Sequence, residues 1–286
     1  MFVIIGMIVV IACVITGYKM EHGNLSLLWH PSEIVVICGA AFGAFIISSP
    51  PTVISLTVNS LKNMIKAKER KKEAYLDVLT LLSTVFAKIR KEGLIAVESD
   101  IEDPDNSPIF SAYPTVLEDH HALDYICDNL KVIISTSVTP FELDNIMELE
   151  MDTHHHEAMI PSHAVAAIAD GLPGLGIVAA VLGIVLTMGK ISEPPEVLGA
   201  SVGAALVGTF LGVLLCYGFA APIAKNLENS ANGDQIYYQV IKTGLVSFVG
   251  GAAPQIAVEF ARRVIPSGEK PGFNELEEVI RKSKSK

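Results

Sequence analysis

Long stretches of this chain carry no charge, and that decides most of what it can fold into. Residues 1–18 hold no Asp, Glu, Lys or Arg, and neither do 34–61, 171–189 and 197–224. A helix crossing a bilayer needs roughly 20 apolar residues, so each window supplies one span. Backbone polar groups in lipid must be satisfied within the segment, which favours helices. The expected fold is all-α: an integral membrane protein with four transmembrane helices and a helical cytoplasmic domain. Its expected parts are spans one and two in 1–49, the cytoplasmic domain in 50–165, spans three and four in 166–222, and C-terminal helices and tail in 223–286. A fifth uncharged window, 243–258, is shorter and contains Gly250, Gly251 and Pro254. It reads as a buried or interfacial cytoplasmic helix.

Charge sets the orientation. The loop after span one has a single base, Lys19, and the loop after span three has only Lys190. Lys62, Lys66, Lys68, Arg70, Lys71 and Lys72 follow span two, and nine Lys and Arg follow residue 222. The positive-inside rule then puts 50–165 and 223–286 in the cytoplasm, with both termini inside. No base precedes the first apolar run and no small-residue cleavage pattern follows it, so it reads as a span and not as a signal peptide. A net charge of -10 argues against a nucleic-acid partner. Cys13, Cys38, Cys127 and Cys216 form no CxxC pair, so neither a disulfide framework nor a zinc site is expected.

The cytoplasmic part shows helical spacing. Leu76, Leu79, Leu82, Phe86 and Ile89 fall on one face, and Gly93 marks a stop. Thr139-Pro140-Phe141-Glu142 has the form of a capping box with Pro at the first helical position. A helix from there to about His156 is expected, ended by Pro161.

Small residues dominate the spans. Gly39 with Gly43, Gly199 with Gly203, and Gly208 with Gly212 are GxxxG pairs, and Gly176, Ala180 and Gly183 lie near one face of span three. Such faces let helices approach closely, either within one subunit or against another helix. If a partner helix is present, as the resemblance named below implies, the faces of spans three and four are the ones expected to line the surface toward it. The span interiors contain no ionisable side chain, since Glu33 and Asp170 fall at expected ends. Membrane-embedded acids mark ion relays. A proton-conducting chain of this kind takes its acid from another chain; a scaffold needs none. Pro173 and Pro222 stand near one membrane face, where each can kink its span.

Three features point to no chemistry. Gly171-Leu-Pro-Gly174-Leu-Gly176 follows no strand, so it is no nucleotide loop. Consecutive histidines such as His154, His155 and His156, or His120 and His121, point in different directions around a helix and suit no metal. No nucleophile–base pair or paired carboxylate suggests an enzyme, and no cofactor is expected.

Several motifs together resemble the MotA family, the four-span subunit of the bacterial flagellar motor stator. They are Gly171-Leu-Pro-Gly-Leu-Gly-Ile-Val-Ala-Ala-Val-Leu-Gly183, Val207-Gly-Thr-Phe-Leu-Gly212, Tyr217-Gly-Phe-Ala-Ala-Pro222 and Ala257-Val-Glu-Phe-Ala-Arg-Arg263, joined by Asp100-Ile-Glu-Asp-Pro104 and Phe273-Asn-Glu-Leu-Glu-Glu278. The resemblance runs from residue 1 to about 280. It implies a MotB-type partner with one span bearing an essential Asp, and a ring of five subunits around two partner helices in the inner membrane. Proton flow would turn the rotor through its switch protein FliG.

By the same resemblance, Arg90 and Glu98 match charged positions acting on the rotor, and Glu150 matches a further acidic one. Pro173 and Pro222 match prolines tied to torque and ion-linked movement. Thr209 and Tyr217 match polar pore-side positions. Ala180 stands where sodium-type relatives carry Thr, which favours the proton. The competing readings are an ExbB/TolQ-like energiser and a non-conducting membrane scaffold. ExbB/TolQ relatives have three spans with the large cytoplasmic part after the first, whereas two spans precede it here.

Overall fold

The computed structural model of the chain describes residues 2–64 and 70–283. Lys66 and Lys68 of the basic run, and Lys284 and Lys286 of the tail, lie outside the described residues. In chain order the α-helices are α1 (Phe2–Met20), α2 (Pro31–Ser48), α3 (Pro51–Met64), α4 (Lys72–Glu92), α5 (Glu98–Glu102), α6 (Pro114–Leu117), α7 (His120–Ser135), α8 (Pro140–Met188), α9 (Pro195–Leu215), α10 (Ala221–Val249), α11 (Pro254–Val264) and α12 (Phe273–Ser283). Among the described residues there is no strand. Four helical stretches are long and apolar enough to cross a membrane: Phe2–Met20, Leu25–Ser48, Pro140–Met188 and Pro195–Val249.

The chain forms two compact units. A membrane unit comprises Met1–Ala67 and Ala158–Asn229, and a polar unit comprises Lys68–Glu157 and Ser230–Lys286. These cuts differ from the expected ones after residues 49, 165 and 222, because packing continues past the apolar runs. Leu61 and Met64 of α3 pack with Val165, Ile223, Ala224 and Leu227 in the membrane unit.

In the membrane unit, α1 exposes Phe2, Ile4, Ile5, Ile8 and Val9, as suits a helix whose solvent is lipid. The α2 helix packs on α9 and buries Ile37 and Ala41 among Ala169, Leu172, Ala179 and Cys216. Pro161 does not end its helix: α8 runs unbroken from Pro140 to Met188 with Pro161 and Pro173 inside it. A proline in a helix interior costs about 3 kcal/mol through the lost donor and the clash with the carbonyl four residues earlier. Tertiary ties offset that cost. Ser162 Oγ, one residue on, donates to the Ala224 carbonyl at 2.8 Å, and Val165 is buried a turn later. Between α9 and α10 lies a π turn, Cys216–Ala220, which ends two residues before Pro222. The wider turn moves the Gly218 carbonyl away from the proline ring, which an α-helix would crowd.

In the polar unit, Val78, Leu79, Leu82, Phe86 and Ile89 of α4 are all buried, and α11 and α12 pack against them. Phe86 stacks on Phe248 with ring centroids 4.3 Å apart. The helix ends at Gly93, whose φ of 92° is open to glycine and strained for other residues. The capping box forms as expected: Thr139 N donates to Glu142 Oε2 at 2.9 Å, and Glu142 N donates to Thr139 Oγ1 at 3.3 Å. Residues 243–258 do not make one helix, and they are only partly buried: Leu245, Ala257 and Val258 are buried while Gly250, Gly251, Gln255 and Ile256 are exposed. The α10 helix stops at Val249, the chain turns through Gly251 at φ 92°, and Pro254 starts α11. Two adjacent glycines followed by a proline favour a turn over a continuous helix. Leu245, Ala257 and Val258 enter the same core from either side of that turn.

Candidate functional site

The α8 and α9 helices meet backbone to backbone. A Cβ placed on Gly176 would lie 2.8 Å from the Gly208 carbonyl oxygen and 3.0 Å from Gly212 Cα. One on Gly212 would lie 2.6 Å from the Leu172 carbonyl oxygen. One on Gly183 would lie 2.7 Å from Ala205 Cβ. Gly208 and Gly212, expected to face a partner helix, thus pack on span three of their own chain. The same small residues serve either contact, and the sequence pattern alone does not choose. Gly39, Gly43, Gly199 and Gly203 stand differently, with nothing within 4 Å of an added Cβ.

Of the positions matched to an ion path, Ala180, Thr209 and Pro173 stand on or next to residues of this seam. Ala180 is buried, and its backbone nitrogen lies 3.0 Å from a Cβ placed on Gly208. Thr209, next in the chain, is half-buried. Pro173 follows Leu172, whose carbonyl touches Gly212. Tyr217 sits in the π turn with its side chain 70% exposed, and Pro222 is exposed just beyond. The Thr187 hydroxyl is turned back onto the Gly183 carbonyl at 2.8 Å.

One acid sits deeper than the sequence suggests. Glu33, expected at a span end, is buried in the first turn of α2, and its Oε2 lies 2.9 Å from a Cβ placed on Gly208. Gly208 is near the middle of the uncharged run 197–224. Sequence reasoning measured depth from the start of span two. The short 3-10 turn Leu25–Leu28, which packs on α9, carries that start inward.

The polar unit displays the residues matched to the rotor. Arg90 is exposed in the last turn of α4 and Glu98 is exposed in the first turn of α5. Among the described residues neither makes an ion pair. The turn between them is held from below. Lys88 Nζ reaches buried Asp100 Oδ2 at 2.6 Å, Ser107 Oγ donates to Asp100 Oδ1 at 2.7 Å, and Val97 and Ile101 are buried. A paired Asp100 holds α5 against the end of α4 while the two outward charges stay free. Glu150 differs, because its Oε2 accepts from Asn129 Nδ2 of α7 at 3.1 Å. Partial burial raises its carboxyl above the usual range, opposed by the Asn129 hydrogen bond.

Further ties brace the unit. The Arg70 guanidinium pairs with Asp119 at 2.7 Å and Asp234 at 2.6 Å, and lies 4.0 Å over the Tyr237 ring. Lys242, nearly buried, pairs with Asp144 and Glu148 of α8. His154 Nε2 is 3.3 Å from the Tyr238 hydroxyl and its ring is 5.3 Å from that of His121. Burial, then the neighbouring His121, lowers the His154 imidazole below its ordinary value. None of these long-range pairs leaves a signal in local sequence.

Residues 4–93 match the family described as Motility protein A N-terminal, and 118–239 match the MotA/TolQ/ExbB proton channel family. The Motility protein A of Escherichia coli is 41% identical over 285 residues, covering 100% of this chain and 97% of that protein. The chain belongs to the Motility protein A family. The Salmonella typhimurium member is 41% identical over 98% of this chain and 95% of its own length. Chemotaxis protein LafT of Vibrio parahaemolyticus is 33% identical over 96% and 97%. Two solved structures share the fold. MotAB of C. jejuni has a TM-score of 0.78 at 18% identity over 93% of this chain and 95% of that one. The flagellar MotAB stator complex from Bacillus subtilis has a TM-score of 0.76 at 21% identity over 92% and 95%. For a Motility protein A family member, a close helix seam in the membrane unit and a separate polar face are the two surfaces to explain.

Proposed function

We propose that this chain is the proton-conducting, torque-generating subunit of a bacterial flagellar stator. It works with a MotB-type one-span partner in the inner membrane, with both termini cytoplasmic. The observation that carries this reading is a match to Motility protein A along the whole chain, through the membrane unit and the polar unit alike. Five copies surround two partner helices, and an Asp of each partner helix carries the proton. Ala180 offers no side-chain oxygen beside the α8–α9 seam, where a hard cation such as sodium would need oxygen ligands. The proton is therefore the coupling ion.

Arg90 and Glu98 meet complementary charges on FliG, with Glu150 a weaker contributor. The alternative is that Arg90 only favours the C-terminal end of α4, worth under about 1 kcal/mol. Charge complementarity governs encounter and register and is screened by salt. Reversal separates the two: Arg90→Glu or Glu98→Lys should impair rotation while the chain is made, inserted and assembled normally. A compensating reversal on FliG should restore part of the torque. A defect that follows protein level, with no reversal rescuing it, would refute the rotor contact. Loss of swimming in sodium-free medium at fixed proton-motive force would refute the proton.

A further inference from the structure

The buried carboxylate of Glu33 has no role in the reading above. Its residue is 9% exposed. A single carbon added at Gly208 would touch Glu33 Oε2 at 2.9 Å, Ala179 Cβ at 3.0 Å and Ala180 N at 3.0 Å. The acid therefore sits against the α8–α9 seam at the level of Ala180. One turn earlier, His30 precedes α2, and its carbonyl accepts from Glu33 N at 3.1 Å. His30 Nε2 is buried with no hydrogen-bond partner. An unpartnered imidazole nitrogen and a mostly buried carboxylate thus stand one helical turn apart inside the membrane unit.

That arrangement is costly unless it is used. A buried polar group without a partner is destabilising, and an acid at membrane depth marks an ion or proton path by default. Glu33 stands in the first turn of α2, where an acid is also favoured by the helix dipole. The dipole alone accounts for neither its burial against α9 nor the orphaned His30 nitrogen.

We propose that Glu33, with His30 beside it, is a proton-carrying station of this subunit, on the outer side of the partner's acid. The inference rests on the proton-conducting reading. In each passage a proton from hydronium outside adds to the Glu33 carboxylate, leaving water and a neutral acid. The acid then releases it to the carboxylate of the partner helix, and the Glu33 carboxylate is restored. His30 accepts or donates at Nε2 without change in the total.

The test uses the full chain with its partner in motile cells, comparing Glu33→Gln, Glu33→Asp and His30→Gln. Each strain is scored for membrane level, for partner recovered with the subunit, and for swimming speed across external pH. Glu33→Gln keeps the shape and loses the titrating proton. It should assemble at the normal level, swim several-fold more slowly, and lose most of the pH dependence of speed. Glu33→Asp should recover much of both, and His30→Gln should shift the pH profile with a smaller loss of speed. The proposal is overturned if Glu33→Gln swims with the parent's speed and pH profile. It is equally overturned if its loss of speed matches a loss of assembled complex, which makes Glu33 a packing residue. If the parent's own speed ignores the proton gradient, the stator reading fails first, whatever Glu33→Gln does.

Discussion

The α8–α9 contact and the α4 core reach close packing by opposite means. In the membrane unit Gly176, Gly208 and Gly212 bring two backbones together, and large side chains such as Ile177, Val181, Leu186 and Leu206 face outward. In the polar unit Phe86, Leu79, Leu82, Ile126 and Leu130 face inward and keep the helices apart by their bulk. The solvent explains the difference. Water rewards burial of apolar area, at roughly 25 cal/mol per Å². Lipid gives no such reward, so helices there associate through close van der Waals approach and need small residues.

If that contrast is right, Gly212→Leu should have the largest effect. Its side chain would start 2.6 Å from the Leu172 carbonyl, and little full-length protein should be recovered from membranes. Gly39→Leu, with open space around it, should give a normal yield; equal loss in both would break the comparison. Phe86→Ala should come next. Removing a fully buried aromatic ring costs about 3–5 kcal/mol, seen as a lower melting temperature in detergent with the membrane yield kept. Lys88→Met should cost about 1–3 kcal/mol, because it leaves the buried Asp100 carboxylate with only the Ser107 donor. Adding Asp100→Asn should recover part of that loss, and no recovery would mean that the pair does not couple.

The smallest effect concerns pH. His154 has a lowered folded value, so the unfolded chain binds more protons just below the ordinary histidine value, near 6.5. The stability held by neutral His154 is present above that value and is lost as pH falls below it. His154→Gln should flatten the dependence of melting temperature on pH between about 7.5 and 5.5. An unchanged slope would remove His154 from the account.

What could be read from the sequence followed locality. The four spans, the stop at Gly93 and the capping box at Thr139–Glu142 are each determined within a few residues, and the structure has them all. The misreadings involve distant partners. Pro161 fails to stop α8 where Ser162 is tied to Ala224, 62 residues away. Gly208 and Gly212 turn inward because Gly176 and Leu172 are there to meet them. Glu33 looks superficial by position along its own helix and is deep by position along α9. The candidates marked by motif and charge are named by the sequence alone, while the burial of Glu33 and the unpartnered nitrogen of His30 appear only in the folded chain.

The π turn has a geometric consequence for the line Gly208, Gly212, Cys216, Ala220, Ala224. Each is four residues from the next, and each is buried or packed against a buried cluster. On an uninterrupted α-helix a step of four residues overshoots a full turn by about 40°, so four steps would carry the line about 160° around the axis. Ala224 would then lie nearly opposite Gly208. The π turn absorbs the equivalent of one residue, about 100° of that drift. The helix keeps a straight seam by hiding an insertion. Deleting one residue between 216 and 220 would therefore return the run to a plain α-helix with Ala224 still in line, whereas an extra residue elsewhere in the helix, with no π turn to absorb it, would swing Ala224 by about 100° away from Gly212.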